Sequence, residues 1–101
     1  RQVGTPMSDV HYIALIHKDP GSGYGVSFPD VPGVIAVADT LDEAIAEGAG
    51  ALAFALEDWR GQRPVPRSLE ALRLDPSFQH AASDAVVAVI RPSATYYNAA
   101  E

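Results

Sequence analysis

A tight corner rich in proline and glycine, in the first half of the chain, constrains the fold more than any other feature. Two short runs of strand-forming residues, 24–28 and 34–38, flank Pro29, Pro32 and Gly33. Proline cannot donate a hydrogen bond to a sheet ladder, and a Pro-Gly pair favours a turn. The pattern therefore predicts two strands joined by a locked corner.

A helix start follows the corner directly. Thr40 is a good N-cap, and Glu43 three residues later completes a capping-box pattern. The residues that then recur at helical spacing predict one buried face: Leu41, Ile45, Ala49, Leu52, Leu56 and Trp59. Gly61 favours the end of a helix, so this helix is expected to run to about Arg60. Gly48 and Gly50 lie inside this helix at a cost of about 1 kcal/mol each, which predicts a close approach to a sheet.

The remaining segments predict two more strands and two short helical pieces. Residues 11–17 are rich in strand formers and end at the turn residues that precede Tyr24. Ser68 and Pro76 can each open a short helix. Residues 85–90 contain no polar side chain, which is typical of a strand that is covered on both faces or lies mid-sheet. We therefore predict an α+β fold, β-β-β-α-(short helices)-β, with sheet order 3-2-1-4 and one long helix on one face.

Two expectations concern strand direction and coverage. A strand–helix–strand crossover normally leaves its flanking strands parallel, so the fourth strand is expected to run parallel to the third. The face of the sheet opposite the long helix is expected to be less well covered, and an open face or edge favours self-association or a partner.

The length of 101 residues fits one domain. Met7 followed by Ser8-Asp9 resembles a natural start, so we expect residues 1–6 to be additions ahead of it. Residues 7–92 are expected to form the α/β domain, and residues 93–101 a tail with no visible DNA-binding domain.

The charge of the chain bears on its partners. Seven basic against thirteen acidic residues give a formal net charge of −6, and the basic residues are scattered. Direct binding to nucleic acid is therefore disfavoured, whereas an acidic surface suits solubility or a basic protein partner. The absence of cysteine fits a reducing cytoplasm. No apolar run approaches the roughly 20 residues of a membrane span, so we expect a cytoplasmic protein with no membrane partner.

Catalytic chemistry finds little support in the residue pattern. His11 and His17 are about 20 Å apart on one strand, so they cannot share a metal ion. The carboxylates near the helix start leave a metal-dependent nuclease open as an alternative: Asp30, Asp39, Asp42, Glu43 and Glu47. Each also has a structural explanation at a helix terminus, on a solvated face or, for Asp30, in a bond to its own turn. We expect no catalytic residue, no metal ligand and no cofactor.

The spacing of the corner and the cap resembles the HicB antitoxin family. Twelve matching positions fall within 22 residues: Gly23, Tyr24, Val26, Phe28, Pro29, Asp30, Pro32, Gly33, Asp39, Thr40, Glu43 and Ala44. The resemblance extends from about residue 11 to residue 92 and implies an N-terminal, partial RNase H-like domain that is not a nuclease. The motif residues themselves are interpreted as scaffold, with Tyr24 and Phe28 packing on one sheet face.

The resemblance also implies a partner. Members of the family bind HicA, a small basic toxin that cleaves messenger RNA, and cover its active site. The expected contact residues are acidic: Asp42, Glu43, Glu47, Glu57 and Asp58. A homodimer or higher oligomer through an edge strand is expected, and a stand-alone dimeric scaffold stays open as an alternative. Many members carry a C-terminal segment that binds operator DNA, which is expected here only if such a segment exists outside this chain.

Overall fold

The computed structural model describes residues 10–21 and 23–93, and within them four strands and three helices follow the predicted order. These elements are β1 (Tyr12–Lys18), β2 (Tyr24–Ser27), β3 (Ile35–Ala38), α1 (Leu41–Glu57), α2 (Leu69–Leu72), α3 (Pro76–Ala82) and β4 (Val86–Ile90). The expected additions at residues 1–6 and nearly all of the expected tail at 93–101 lie outside the described residues.

The strands form one sheet in the order β3-β2-β1-β4, as predicted. Ile16 at the centre of β1 faces Val26 on β2 and Val86 on β4, and Val26 in turn faces Ala36 on β3. Every neighbouring pair is antiparallel, so the prediction that the fourth strand runs parallel to the third is wrong.

The reason lies in the long connection between β3 and β4. α1 packs on one face of the sheet, whereas Leu72 of α2 and Phe78 of α3 pack on the opposite face against Ile13 and Leu15. The chain therefore changes faces after α1 and travels back along the sheet through α3. A single crossover helix would return the chain to the end of the sheet at which β3 begins. β4 instead begins at the end at which β3 finishes, so it runs antiparallel to β1.

The main core lies between α1 and the sheet. Its helical side is a stripe of one residue every four: Ala44, Gly48, Leu52 and Leu56. The face predicted from the sequence is turned about the helix axis relative to this buried stripe. Leu41, Ile45 and Trp59 were predicted to be buried, but each is more than a third exposed. At Gly48 an added Cβ would lie 3.1 Å from Cγ1 of Val26, which confirms the predicted close approach to the sheet at this position.

The caps explain where the helices begin. Oγ1 of Thr40 accepts a hydrogen bond of 3.1 Å from the backbone N–H of Glu43, as the capping pattern predicts. Ser68 caps α2 and Asp75 caps α3, which has a proline in its first turn. α1 ends at Glu57, earlier than predicted. In the part of the chain that the structure describes, no helix is long and apolar enough to cross a membrane.

The opposite face and the two edges of the sheet are less well covered. Ile35 and Val37 on β3 are each 69% exposed, and Val89 on β4 is 61% exposed. The prediction that the apolar fourth strand is covered on both faces is therefore wrong in this chain. β4 is an edge strand of the described sheet, although all five of its residues are apolar.

Candidate functional site

The proline-rich corner is held by an ion pair that joins distant parts of the chain. The carboxylate of Asp30 accepts two hydrogen bonds of 2.7 Å from Arg67, one from the backbone N–H and one from Nε. Nη1 of Arg67 also donates to Asp75 at 3.1 Å. We expected Asp30 to bond the backbone of its own turn; instead both of its oxygens accept from a residue 37 positions later.

The three side chains of Asp30, Arg67 and Asp75 form a clamp, and its contacts favour the charged forms of Arg67 and Asp75. The hydrogen bonds from Arg67, and then from the backbone of Ser77, hold the pKa of Asp75 below its usual value. The hydrogen bonds to Asp30 and then Asp75 raise the pKa of Arg67. The side chain of Asp30 is only 8% exposed, so its carboxylate is committed to the clamp. The clamp fixes the start of α2 to the corner between β2 and β3.

A second contact fixes the connector, which we define as residues 58–68 between α1 and α2. The hydroxyl of Tyr12 on β1 donates to the carbonyl of Pro64 at 2.7 Å, and burial raises the pKa of Tyr12. Sequence reasoning missed both Tyr12 and Arg67 as positioning residues. Their partners lie 52 and 37 positions away, a separation at which no local pattern gives a signal.

A concave feature of the described surface lies where β1, β2 and β3 meet the start of α1. This acidic hollow has a volume of about 570 Å³ and is lined by Asp19, Gly23, Tyr24, Val37, Ala38, Asp39, Glu43 and Glu47. Its floor is tight, because a side chain on Gly23 would overlap the carbonyl oxygen of Ala38. Nζ of Lys18 lies 5.6 Å from the centre of the Tyr24 ring. Four carboxylates thus border a single open depression.

The five acidic residues expected at a protein contact do not share one place. Glu43 and Glu47 line the acidic hollow, whereas Asp42 is exposed outside its lining. Glu57 and Asp58 lie at the other end of α1, about 21 Å from Glu43 at 1.5 Å per residue. The structure adds Asp19 and Asp39, which the sequence did not suggest as contact residues.

The acidic hollow is continuous with an exposed sheet edge. Val37 belongs both to the hollow and to β3, where Ile35 projects on the same face of the sheet. Both side chains are 69% exposed, and β3 pairs only with β2 among the described residues. An edge strand with unpaired backbone groups, exposed apolar side chains and an acidic border is suited to binding another polypeptide.

The candidate metal ligands are dispersed. Nε2 of His17 lies 2.9 Å from the carbonyl oxygen of Ala81, and His11 contacts Arg91 at 3.1 Å. The carboxylates considered for a nuclease site separate, with Asp30 in the clamp and Asp39, Glu43 and Glu47 around the hollow. Across residues 10–21 and 23–93, no three histidine or acidic side chains are grouped so that they could hold a metal ion.

Comparison with known proteins gives a consistent result. A family model described as a HicB-like antitoxin of bacterial toxin–antitoxin systems matches residues 12–98. The crystal structure of the N-terminal domain of the Burkholderia pseudomallei antitoxin HicB is similar, with a TM-score of 0.63 and 25% sequence identity. That match covers 83% of this chain and 99% of the other.

Two further solved structures show the same architecture. The Burkholderia pseudomallei antitoxin HicB matches with a TM-score of 0.63 and 27% identity, over 86% of this chain and 66% of the antitoxin chain. A chain of a HicA3–HicB3 toxin–antitoxin complex matches with a TM-score of 0.61 over 81% of this chain and 96% of its own length. Its identity is 17%, so that similarity shows the fold alone. Comparison with curated proteins gave no match.

Proposed function

The chain belongs to the HicB-like antitoxin family of bacterial toxin–antitoxin systems, and from that membership we propose that it binds a small HicA-type toxin and neutralises it by covering the toxin's active site. The observation that carries the proposal is the family match over residues 12–98 together with the fold of the HicB N-terminal domain. The toxin is expected to be a basic protein that cleaves messenger RNA, and the antitoxin is expected to act in the cytoplasm without catalysis of its own.

A HicA3–HicB3 complex supports the choice of partner. A chain with this fold occurs in that toxin–antitoxin assembly. The proposal assigns this chain the same kind of partner, a HicA-type toxin.

The acidic hollow and the β3 edge are the surface that we assign to the toxin. Asp19, Asp39, Glu43 and Glu47 surround one depression, and the negative potential of such a group accelerates the approach of a basic protein. Ile35 and Val37 supply apolar area beside it, and burying each of them fully stabilises a complex by roughly 1–2 kcal/mol. Among the five acidic residues expected from the sequence, Glu43 and Glu47 are assigned to the contact.

The direct test uses the purified chain and the purified toxin that is encoded beside it. We expect a stable complex on size-exclusion chromatography and loss of RNA cleavage as the antitoxin reaches equimolar amounts. The same RNA incubated with the antitoxin alone, with Mg²⁺ or Mn²⁺ present, serves as the control for intrinsic nuclease activity. Undiminished cleavage by the toxin with the antitoxin in excess, and no complex, would disprove the proposal.

A further inference from the structure

The face of the sheet opposite α1 is covered by helices over one part only. Phe78 of α3 packs over Ile13 and Leu15 of β1. The part of the same face on β3 stays open, and the side chains of Ile35 and Val37 on it are mostly exposed. An exposed apolar area beside a charged border marks an interaction surface.

A trench runs along β2 in this open part of the face. Its floor consists of Gly25 and Ser27, which lie directly opposite Val37 and Ile35 on β3. Residues opposite each other on neighbouring strands project on the same face, so Ile35 and Val37 form one wall of the trench. A Cβ added to Gly25 would meet no atom of the described residues within 4 Å. The floor is therefore open to a partner.

The other wall of the trench is formed by α3 and by His17 on β1. Nε2 of His17 lies 2.9 Å from the carbonyl oxygen of Ala81, which ties this side chain to the last turn of α3. Between α3 and Ser27 the trench deepens into an alcove of about 250 Å³, whose apolar walls include Leu15, Phe78 and Ala81. An apolar cavity of about 150 Å³ already holds benzene, so the alcove has room for one large apolar side chain.

We propose that this trench is the docking site of an amphipathic α-helix of the toxin, which lies beside α3 and inserts one apolar side chain into the alcove. The inference rests on the proposed function for the identity of the partner, and it adds the structural element that the partner contributes. The dimensions fit a helix. β1, which lies beneath α3, is two strand spacings from β3, or about 9.6 Å. Packed helices lie about 8–10 Å apart, so a helix in contact with α3 lies over β2 and β3.

The charges at the two ends of the trench fit a basic helix. One end opens at Val37 into the acidic hollow. At the alcove end the guanidinium of Arg67 is committed to Asp30 and Asp75, so it offers little attraction to an acidic partner. A helix with an apolar stripe in the trench and basic side chains at the hollow is complementary to both features.

An extended segment added to the β3 edge would use different atoms of this chain. It would pair with backbone groups on the outer side of β3, one strand beyond β2, and would leave the floor of the trench uncovered. A helix covers the floor and needs no backbone pairing. Changes in the floor therefore separate the two modes of binding.

The first test fills the trench with a side chain. Gly25→Leu places its side chain in open space, and leucine suits a strand better than glycine, so we expect a folded chain by circular dichroism. In calorimetry with the purified toxin, the variant should bind about 10–100-fold more weakly than the native chain, because the helix loses its seat. Val65→Phe adds the same number of carbon atoms at an exposed connector position and should bind within about twofold of the native chain.

The second test measures whether the toxin covers the floor and leaves the trench unfilled. The chain has no cysteine, so Ser27→Cys introduces a single thiol of nearly the same size as the hydroxyl it replaces. Alkylation of that thiol, followed by mass spectrometry of this chain, should slow on the order of tenfold when the toxin is bound. Val65→Cys in the connector is the control, and its alkylation rate should not respond to the toxin.

The third test identifies the element that the toxin contributes. Ile35→Cys and Val37→Cys carry a photo-reactive benzophenone at two points on the wall, with Cα atoms about 7 Å apart. A helix rises about 1.5 Å per residue, so the cross-linked toxin residue should shift by about four positions between the two variants. An extended segment, at about 3.3 Å per residue, would shift it by about two positions.

The proposed function and the trench assignment fail in different ways. A native chain that binds no toxin removes the partner and overturns both. If the native chain binds and neutralises the toxin, three results overturn the trench assignment alone. They are a folded Gly25→Leu variant that binds as tightly as Val65→Phe, alkylation of Ser27→Cys that the toxin does not slow, and a cross-link shift of two positions. The last result would assign the contact to strand addition at the β3 edge.

Discussion

At the scale of single residues, several motif side chains pack in the core or hold the corner. Phe28 is buried in the core beneath α1, and Tyr24 packs against the same core, as predicted. Asp30 is nearly buried, and both of its oxygens are used by Arg67. Each oxygen of this carboxylate accepts a hydrogen bond of 2.7 Å from Arg67. Asp30 therefore belongs to the scaffold, although its residue type is also that of a metal ligand.

The clamp gives a prediction about stability at acid pH. Replacing Arg67 with glutamine removes the charged partner of Asp30 and Asp75, and should lower the Tm at pH 7 by about 5–10 °C. The pKa of Asp75 is lowered in the folded chain, so its stabilising contribution is complete above the ordinary value of 3.8 and is lost as the pH falls below it. The Tm difference between the parent chain and Arg67→Gln should therefore shrink below about pH 4.

A matched arginine is available as the control. Arg73 is exposed at the end of α2 and belongs to neither ion pair of the clamp. Arg73→Gln makes the same change in net charge and should shift the Tm by no more than about 1–2 °C at any pH. Equal Tm losses in the two variants would mean that the effect comes from net charge and not from the clamp.

At the scale of elements, the accuracy of prediction depended on how local the determining interactions are. The start of α1 was predicted because the cap is made by Thr40 and Glu43, three residues apart. The three-strand meander was predicted because turns between neighbouring strands are short. The buried face of α1 was predicted with the wrong rotation, because Ala44 and Gly48 allow a closer approach than the bulkier residues Leu41 and Ile45.

The direction and exposure of β4 could not be predicted from the sequence for a related reason. They depend on where the connector crosses from one face of the sheet to the other, and that crossing is fixed by Tyr12 and Arg67 through contacts of long range. The composition of β4 predicted a covered strand, whereas one isolated chain exposes it. The sequence grouped Asp39, Glu43 and Glu47 near the helix start, whereas Asp19 joins them only in the folded chain.

The cap of α1 can be tested in isolation from the core. Thr40→Ala removes the acceptor of the Glu43 N–H bond and should destabilise the chain by about 1 kcal/mol, or roughly 4–8 °C in Tm. Thr40→Ser keeps a hydroxyl at the same place and should remain within about 1–2 °C of the parent. Thermal unfolding followed by circular dichroism measures both. A Thr40→Ser variant that is as unstable as Thr40→Ala would show that the methyl group, not the hydrogen bond, is what matters.

At the scale of the whole molecule, the two edges of the sheet carry different chemistry. The β3 edge adjoins four carboxylates and is the edge that we propose for a basic partner, whereas the β4 edge is apolar. The two edges lie on opposite sides of the sheet.

This arrangement predicts that the location of negative charge, not its total, governs toxin binding. The double variant Glu43→Gln/Glu47→Gln removes two charges from the hollow, and Glu57→Gln/Asp58→Asn removes two from the far end of α1. Each changes the net charge from −6 to −4, so the pair is matched in total charge. Stopped-flow or surface-binding measurements at about 0.1 M salt should show that the first variant slows toxin association on the order of tenfold, because the field at the hollow steers encounter.

The second variant should associate with the toxin within about twofold of the parent rate, since its changes lie about 21 Å from Glu43 along the helix, beyond the screening length of about 10 Å at 0.1 M salt. Raising the salt should bring all three rates together, because screening at about 1 M salt shortens that length to about 3 Å. Dissociation rates should change less than association rates in both variants. Equal slowing of association by the two double variants would place the toxin contact away from the hollow. That result would leave the proposal that the chain binds and neutralises the toxin unchanged.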